Sequence, residues 1–181
     1  MRNVIQFECF ETNLGIDEFA IGWEFYAKKL LVNHVEISLH QRVSGSSKFK
    51  YISRHEWPED NCDFNIMKGR NTDSFAEENV RVIQAGGYIP LQIEHVADKK
   101  DAYKKILLFL PSSNNSIEEY KDLKAYCYLN IYQPYFESCK YGYILEFFAD
   151  EYQATFLMSQ IKTDKSLVEN GIYQECAVLH E

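Results

Sequence analysis

Apolar positions recur every second residue in some stretches of the chain and every three or four residues in others, and this change of period sets the order of elements. Val4 to Phe10, rich in β-branched and aromatic residues, predicts a strand. Asn13-Leu14-Gly15 breaks it. Asp17 is the expected N-cap of a helix whose apolar stripe is Phe19, Trp23, Tyr26 and Leu30, with Lys28 and Lys29 near the C-terminal end, where cations suit the helix dipole. Val35 to His40 alternates as a second strand, and Ser44-Gly45-Ser46-Ser47 turns the chain into a third, Phe49 to Trp57. On that strand Phe49, Tyr51, Ser53, His55 and Trp57 share one face, and Lys50, Ile52, Arg54 and Glu56 share the other. A second helix is expected around Phe64, Ile66 and Met67, and a fourth strand over Pro90 to Val96. Val80 to Tyr88 looks extended until Gly86-Gly87 interrupts it.

After the charged stretch 97–101, the expected linker, the order begins again. Lys105 to Leu110 predicts a strand closed by Pro111, and Ser116-Ile117-Glu118-Glu119 has capping-box spacing at the start of a helix through Tyr120, Leu123, Cys127 and Ile131. Pro134 to Lys140 and Tyr143 to Phe148 predict a hairpin around Tyr141-Gly142. A helix with Tyr152, Phe156 and Ile161 follows, then an Asn170-Gly171 turn and a last strand, Tyr173 to Leu179. Each half thus reads β-α-β-β-α-β, the ferredoxin-like order of an α+β fold. The expectation is two tandem ferredoxin-like halves, 1–96 and 103–181, packed sheet to sheet as an intramolecular dimeric α/β barrel.

Composition narrows the function classes. With 181 residues, 46% hydrophobic and 25% charged, the chain has the balance of a folded protein rather than a disordered one. The net charge of −8 argues against a general nucleic-acid binder, which needs a basic stripe to displace counterions from phosphates. Five widely spaced cysteines, without C-x-x-C spacing, point to reduced thiols in a cytoplasmic protein rather than a disulfide framework or zinc site. No signal-like h-region opens the chain and no apolar run reaches 18 residues, so neither secretion nor membrane association is expected. The 13 Tyr, 12 Phe and 2 Trp suit a ring-rich core or an aromatic-lined cavity.

The first half resembles the antibiotic-biosynthesis-monooxygenase-type domains of the dimeric α/β-barrel superfamily. The residues that carry the resemblance are Phe19-Ala20-Ile21-Gly22-Trp23, Ile37-Ser38-Leu39-His40-Gln41, Phe49 to Trp57 leading into Phe64, and Pro90-Leu91-Gln92-Ile93-Glu94. The resemblance implies a pocket between sheet and helices and a cofactor-free oxidation of polycyclic phenols or quinols. The family's pocket uses an Asn four residues before a strand-end Trp, that Trp, and a nearby Tyr. Here Trp57 matches, Ser53 stands at the Asn position, and Asp63 or Phe64 stands where the Tyr is expected. Members that degrade haem need an axial His on the following helix, and no His lies between His55 and His95, so no cofactor is expected. In the second half the Trp position falls on Phe148.

Candidate site residues follow from both lines. Ser53 and His55 are the candidate catalytic pair, because an imidazole titrates near neutrality, where a phenol must give up its proton. The competing reading of His55 is a strand-end histidine bonded to a neighbour, since no carboxylate is fixed beside it by sequence spacing. Trp57, Tyr51, Trp23, Tyr26 and Phe64 are the candidate substrate-binding residues, and each serves equally as core packing. Arg54 and Glu56 are expected to pair across the barrel, and His40 and Arg42 either join a polar cluster or end a solvated hairpin. No metal site, G-x-S-x-G, H-E-x-x-H or P-loop pattern is present. The expected partner is a small hydrophobic or aromatic ligand, bound by a monomer or homodimer. A non-catalytic scaffold, sensor or interaction module is the alternative.

Overall fold

Strict alternation in and out builds this fold, because nearly every strand is buried on both sides. The computed structural model describes residues 3–31, 36–61, 79–91, 104–111, 117, 120, 122, 127–135, 139–161 and 169–180. Among the described residues there are eight strands: β1 (Asn3–Thr12), β2 (Glu36–Ser44), β3 (Tyr51–Pro58), β4 (Val80–Pro90), β5 (Lys104–Leu110), β6 (Tyr128–Pro134), β7 (Tyr143–Ala149) and β8 (Glu169–His180). Helix α1 (Ile16–Leu30) follows β1, and helix α2 (Glu151–Ile161) follows β7. The strands close an antiparallel barrel in the order β1-β3-β2-β8-β5-β7-β6-β4. The architecture is α+β, with helices outside the barrel. Among the described residues no helix is long and apolar enough to cross a membrane.

Three apolar layers result. Inside the barrel lie Ile5, Phe7, Cys9, Phe49, Ile52, Tyr88, Leu107, Phe109, Tyr141 and Tyr173. Beneath α1, on the outer face, Phe19, Trp23 and Ala27 pack on Phe10, Ile37, Leu39 and Tyr51. Beneath α2, Ala154, Leu157, Met158 and Ile161 pack on Ile106, Leu108, Leu145 and Phe147. Among the described strands closure leaves no free sheet edge, and the barrel wall joins early and late strands at β2–β8 and β4–β6.

Several sequence expectations shift. Gly15, not Asp17, is the N-cap of α1, with Asp17 and Glu18 in the first turn. Its buried stripe is Phe19, Trp23 and Ala27, which leaves Tyr26 half-buried. The fourth strand is Val80–Pro90: Gly86, at φ 109°, carries a bulge inside β4 rather than ending it, opposite a register shift at Phe7/Glu8. A side chain there would collide with Cys139, its Cβ 2.8 Å from Sγ. The chain between Cys127 and Pro134 is a strand, not a helix end, because Leu129 and Ile131 face α2 while Asn130 and Tyr132 point inward. On α2 the buried positions are Ala154, Leu157, Met158 and Ile161, so Tyr152 and Phe156 lie on the exposed side. Asp150 and Gln153 cap that helix reciprocally. Asn170-Gly171 lies within β8, and Phe49 faces the barrel interior rather than joining the Tyr51 face. The expected helices around Phe64 and through Leu123, the capping box at Ser116, the linker 97–101 and most of the strand expected over Pro90 to Val96 lie outside the described residues.

Candidate functional site

The polar residues of β3 that face outward meet polar residues of β1, and α1 covers part of that surface. Antiparallel pairing sets Glu8 opposite Ser53, Gln6 opposite His55, and Val4 opposite Trp57. Directly paired residues point to one side of a sheet, so Gln6, Glu8, Ser53, His55 and Trp57 share the outer face. All five are buried; Ser53 and His55 are 0% exposed and Glu8 2%. Burial of this many polar groups is tolerable only if they satisfy one another.

Their contacts form two small networks. The Trp23 indole N–H, from α1, donates to Ser53 Oγ at 2.9 Å. Ser53 Oγ lies 2.9 Å from His55 Nε2, and Glu8 Oε2 lies 3.3 Å from that same nitrogen. A carboxylate only accepts, so the Glu8 contact calls for the proton on Nε2, where it is shared between Glu8 and Ser53. Ser53 Oγ then accepts from both Trp23 and His55, which occupies its two lone pairs. Beside this group the Trp57 indole N–H donates to Gln6 Oε1 at 3.3 Å, and its ring packs with Val4 and Ile89. Chemically, a histidine backed by a carboxylate can take a proton, because the carboxylate stabilises the imidazolium that forms.

The structure brings Ser53, His55, Trp57 and Trp23 to one surface. Tyr51 plays a different part: its ring stacks on Phe19 at 4.1 Å and its hydroxyl donates to the Leu14 carbonyl, which fastens the start of α1. Tyr26 sits outside the buried stripe, and Phe64 is outside the described residues. Glu8 and Gln6 were missed. The signal was present in β1, where Gln6 and Glu8 interrupt the outward set Val4-Gln6-Glu8-Phe10 while Ile5, Phe7 and Cys9 are apolar. An open groove of about 400 Å³ beside Glu11, Asn13, Asn79 and Arg81 is lined by none of these network residues.

A second polar cluster fills one end of the barrel interior. Arg54 bonds Glu56 at 2.9 Å and Glu36 at 3.4 Å. Burial works against the Arg54 charge, but Tyr132, Glu146 and Glu56 more than offset it and raise its pKa. Glu146 accepts from Tyr132 at 2.6 Å and Asn130 at 3.1 Å, with Lys105 at 3.8 Å. Burial alone would raise its carboxyl; Lys105, Arg54 and those hydrogen bonds hold it instead at about 2. His40, expected near a hairpin end, is buried here with Nε2 3.0 Å from Ser38 Oγ. Burial first, then Lys105 and Arg54, lowers its pKa well below 6.5. Charges from β2, β3, β5 and β7 therefore meet inside the barrel, as the Arg54 and Glu56 face suggested.

Among the described residues the surface beneath α2 has no polar counterpart. The covered positions of β7 are Leu145, Phe147 and Ala149, and Phe148, expected at the Trp position, turns inward, where Lys105 lies over its ring. Among the described residues the Glu8–His55–Ser53 arrangement has no copy beneath α2.

No protein-family model matches the chain, and no curated protein matches its sequence. Solved structures do match. An anthrone oxidase-like protein superposes with a TM-score of 0.60 at 10% identity, over 99% of this chain and 93% of that one. A variant of the chlorite dismutase from Candidatus Nitrospira defluvii gives 0.52 at 8% identity, over 97% and 91% of the two chains. A second variant of that enzyme, in complex with cyanide, gives 0.51 at 8% identity with the same coverage. At these identities the likeness is one of fold.

Proposed function

We propose that the chain is a small-molecule-binding protein of the cofactor-independent monooxygenase type, which takes up a phenolic or quinol-type molecule on the outer face of its first half. The observation that carries this reading is the buried Glu8–His55–Ser53 network, with the carboxylate 3.3 Å from the imidazole. In this reading His55 takes the proton of an acidic ring hydroxyl at Nδ1, the ring nitrogen that carries none when Nε2–H faces Glu8; Glu8 stabilises the imidazolium, and Trp57 shapes the cavity wall. The substrate anion then reduces molecular oxygen and forms a carbon–oxygen bond. Loss of water from the hydroperoxide turns one ring C–H carbon into a carbonyl, one oxygen atom remaining in the product and the other leaving as water. Ser53 holds the ring oxygen in place of the family's Asn.

The architecture is read as two ferredoxin-like halves, 1–96 and 103–181. The neighbour order β4-β1-β3-β2, repeated as β8-β5-β7-β6, supports it. The second half, apolar beneath its helix, acts as a built-in partner for the first, and the protein works in the cytoplasm. A non-catalytic sensor or interaction module is the competing reading, favoured by the Trp23 N–H already seated on Ser53.

Oxygen uptake with a panel of quinols and hydroxylated polycyclic substrates separates the two. The enzyme reading expects turnover by the native protein and a loss of at least about 100-fold in His55→Ala, the scale of a removed general base. Equal rates would remove His55 from any mechanism, and binding without oxygen uptake would favour the module.

A further inference from the structure

Helix α1 buries one face and carries an apolar pair on the other. Phe19, Trp23 and Ala27 are buried on the barrel wall, while Ile21 and Phe25 point outward at 73% and 67% exposure. Four residues apart, these two side chains are neighbours on the helix surface and form one apolar ridge. Lys29 Nζ lies 3.9 Å from the Phe25 ring centroid, so the ridge runs into positive charge at its C-terminal end.

The charges around the ridge match a reversed copy of it. Ile21 and Phe25 stand two residues either side of Trp23, the midpoint of Ile16–Leu30. Asp17 and Glu18 lie in the first turn, and Lys28 and Lys29 in the last. At 3.6 residues per turn, positions eleven apart fall on the same flank, which puts Asp17 in line with Lys28 and Glu18 in line with Lys29. A two-fold axis at the midpoint, perpendicular to the helix, keeps each flank and reverses its direction. Asp17 then meets the second copy's Lys28, Glu18 meets the second copy's Lys29, and Ile21 packs on the second copy's Phe25. A parallel pairing would set acid on acid and base on base. Acidic first turns and basic last turns suit any helix dipole, so what distinguishes α1 is the apolar ridge centred between them. Helix α2 also exposes Tyr152 and Phe156, but it has Glu151 in its first turn and no base in its last, so a reversed copy brings it no opposite charge.

We infer that the outer face of α1 is a docking surface for a second copy of this chain, with the two α1 helices packed antiparallel about a two-fold axis at the level of Trp23. The contact is small. A 15-residue helix is about 22 Å long, and one pair of that length covers less than the roughly 800 Å² per partner of a standard interface. The dimer is therefore weak and depends on concentration. Ile21 and Phe25 supply the affinity, and the exposed charge pairs fix the orientation.

Sedimentation equilibrium of the native chain, from about 5 μM to about 500 μM, should show a shift from the 21.3 kDa monomer toward twice that mass. Phe25→Glu places a carboxylate on the ridge of both copies and should weaken association at least about ten-fold, while Tyr152→Ser on α2 leaves it unchanged. Two charge variants read the orientation: one carries Asp17→Lys and Glu18→Lys, the other Lys28→Glu and Lys29→Glu. Each alone should associate more weakly than the native chain, and the two should recover association when mixed, because only the mixture pairs acid with base at both ends. A native chain that stays monomeric over the whole range would overturn the proposal. So would a dimer that Phe25→Glu leaves intact or that Tyr152→Ser breaks, and so would charge variants that do not recover on mixing. Circular dichroism checks that each variant folds; if a charge variant does not, Phe25→Glu and Tyr152→Ser decide.

Discussion

Single residues set the electrostatic character of this protein, and two buried titratable groups show how. His40 is neutral in the fold, its pKa pushed well below 6.5 by burial, Lys105 and Arg54. The unfolded chain gains a proton at this residue below pH 6.5 and the folded chain does not, so acid favours unfolding from there downward. Glu146 is held at about 2 against an ordinary 4.5. Its contribution, on the order of 3 kcal/mol, is present above pH 4.5 and disappears as pH falls toward 2. Stability measured by urea midpoint should therefore fall in two stages on acidification, and His40→Gln should flatten the first, between pH 6.5 and about 5. A variant with an unchanged upper stage would show that His40 does not carry it. None of this was legible in sequence. Ser38-Leu39-His40 reads as an alternating strand whichever face is sealed, and only barrel closure places His40 between Arg54 and Lys105.

At the scale of elements, local pattern predicted existence well and register poorly. The strands at Lys105 to Leu110 and Tyr143 to Phe148 fell within a residue of β5 and β7, because continuous apolar runs bounded by Pro and Gly leave few alternatives. The glycines misled. Gly86-Gly87 and Asn170-Gly171 read as breaks, yet both lie inside strands where another segment of backbone or side chain comes close. The hairpin tip after β2 is the sharpest such approach. Gly45 has φ 106°, and a Cβ there would fall 2.6 Å from Gly171 Cα and 2.9 Å from the Asn170 carbonyl oxygen. Neighbouring bonds lock the tip to β8: Ser47 N–H donates to the Asn170 carbonyl at 2.7 Å, and Ser46 Oγ to Asn170 Oδ1 at 3.0 Å. Gly45→Ala combines a disfavoured backbone angle with a clash against main chain, and should cost more than about 2 kcal/mol in urea unfolding. Gly15→Ala is the control, since that residue has φ −67° and nothing within 4 Å of the added carbon. Equal losses in the two would mean that the Gly45–Gly171 contact is not what binds the tip to β8.

For the molecule as a whole, the asymmetry of the two helix-covered faces matters most. Among the described residues the sheet beneath α2 offers carbon-rich side chains, whereas beside α1 it offers Gln6, Glu8, Ser53 and His55. The sequence exposed half of that contrast, since Ser53, His55 and Trp57 fall at every second position of one strand and Leu145, Phe147 and Ala149 do so on another. It hid the other half, because Glu8 lies 45 or more residues from its partners and joins them only through the β1–β3 register. A carboxylate beside the histidine was the element missing from the sequence reading, and its presence turns a buried imidazole into a candidate base.

The central claim is that His55, backed by Glu8, takes the proton of a bound ring hydroxyl, and absorbance of a fused-ring nitrophenol such as 4-nitro-1-naphthol at the phenolate band measures this directly. Titrated with native protein at a pH where the free probe is mostly neutral, the bound probe should show the phenolate band, and His55→Ala should bind it in the neutral form. A bound probe that stays neutral on the native protein, or that ionises equally on His55→Ala, would contradict the account.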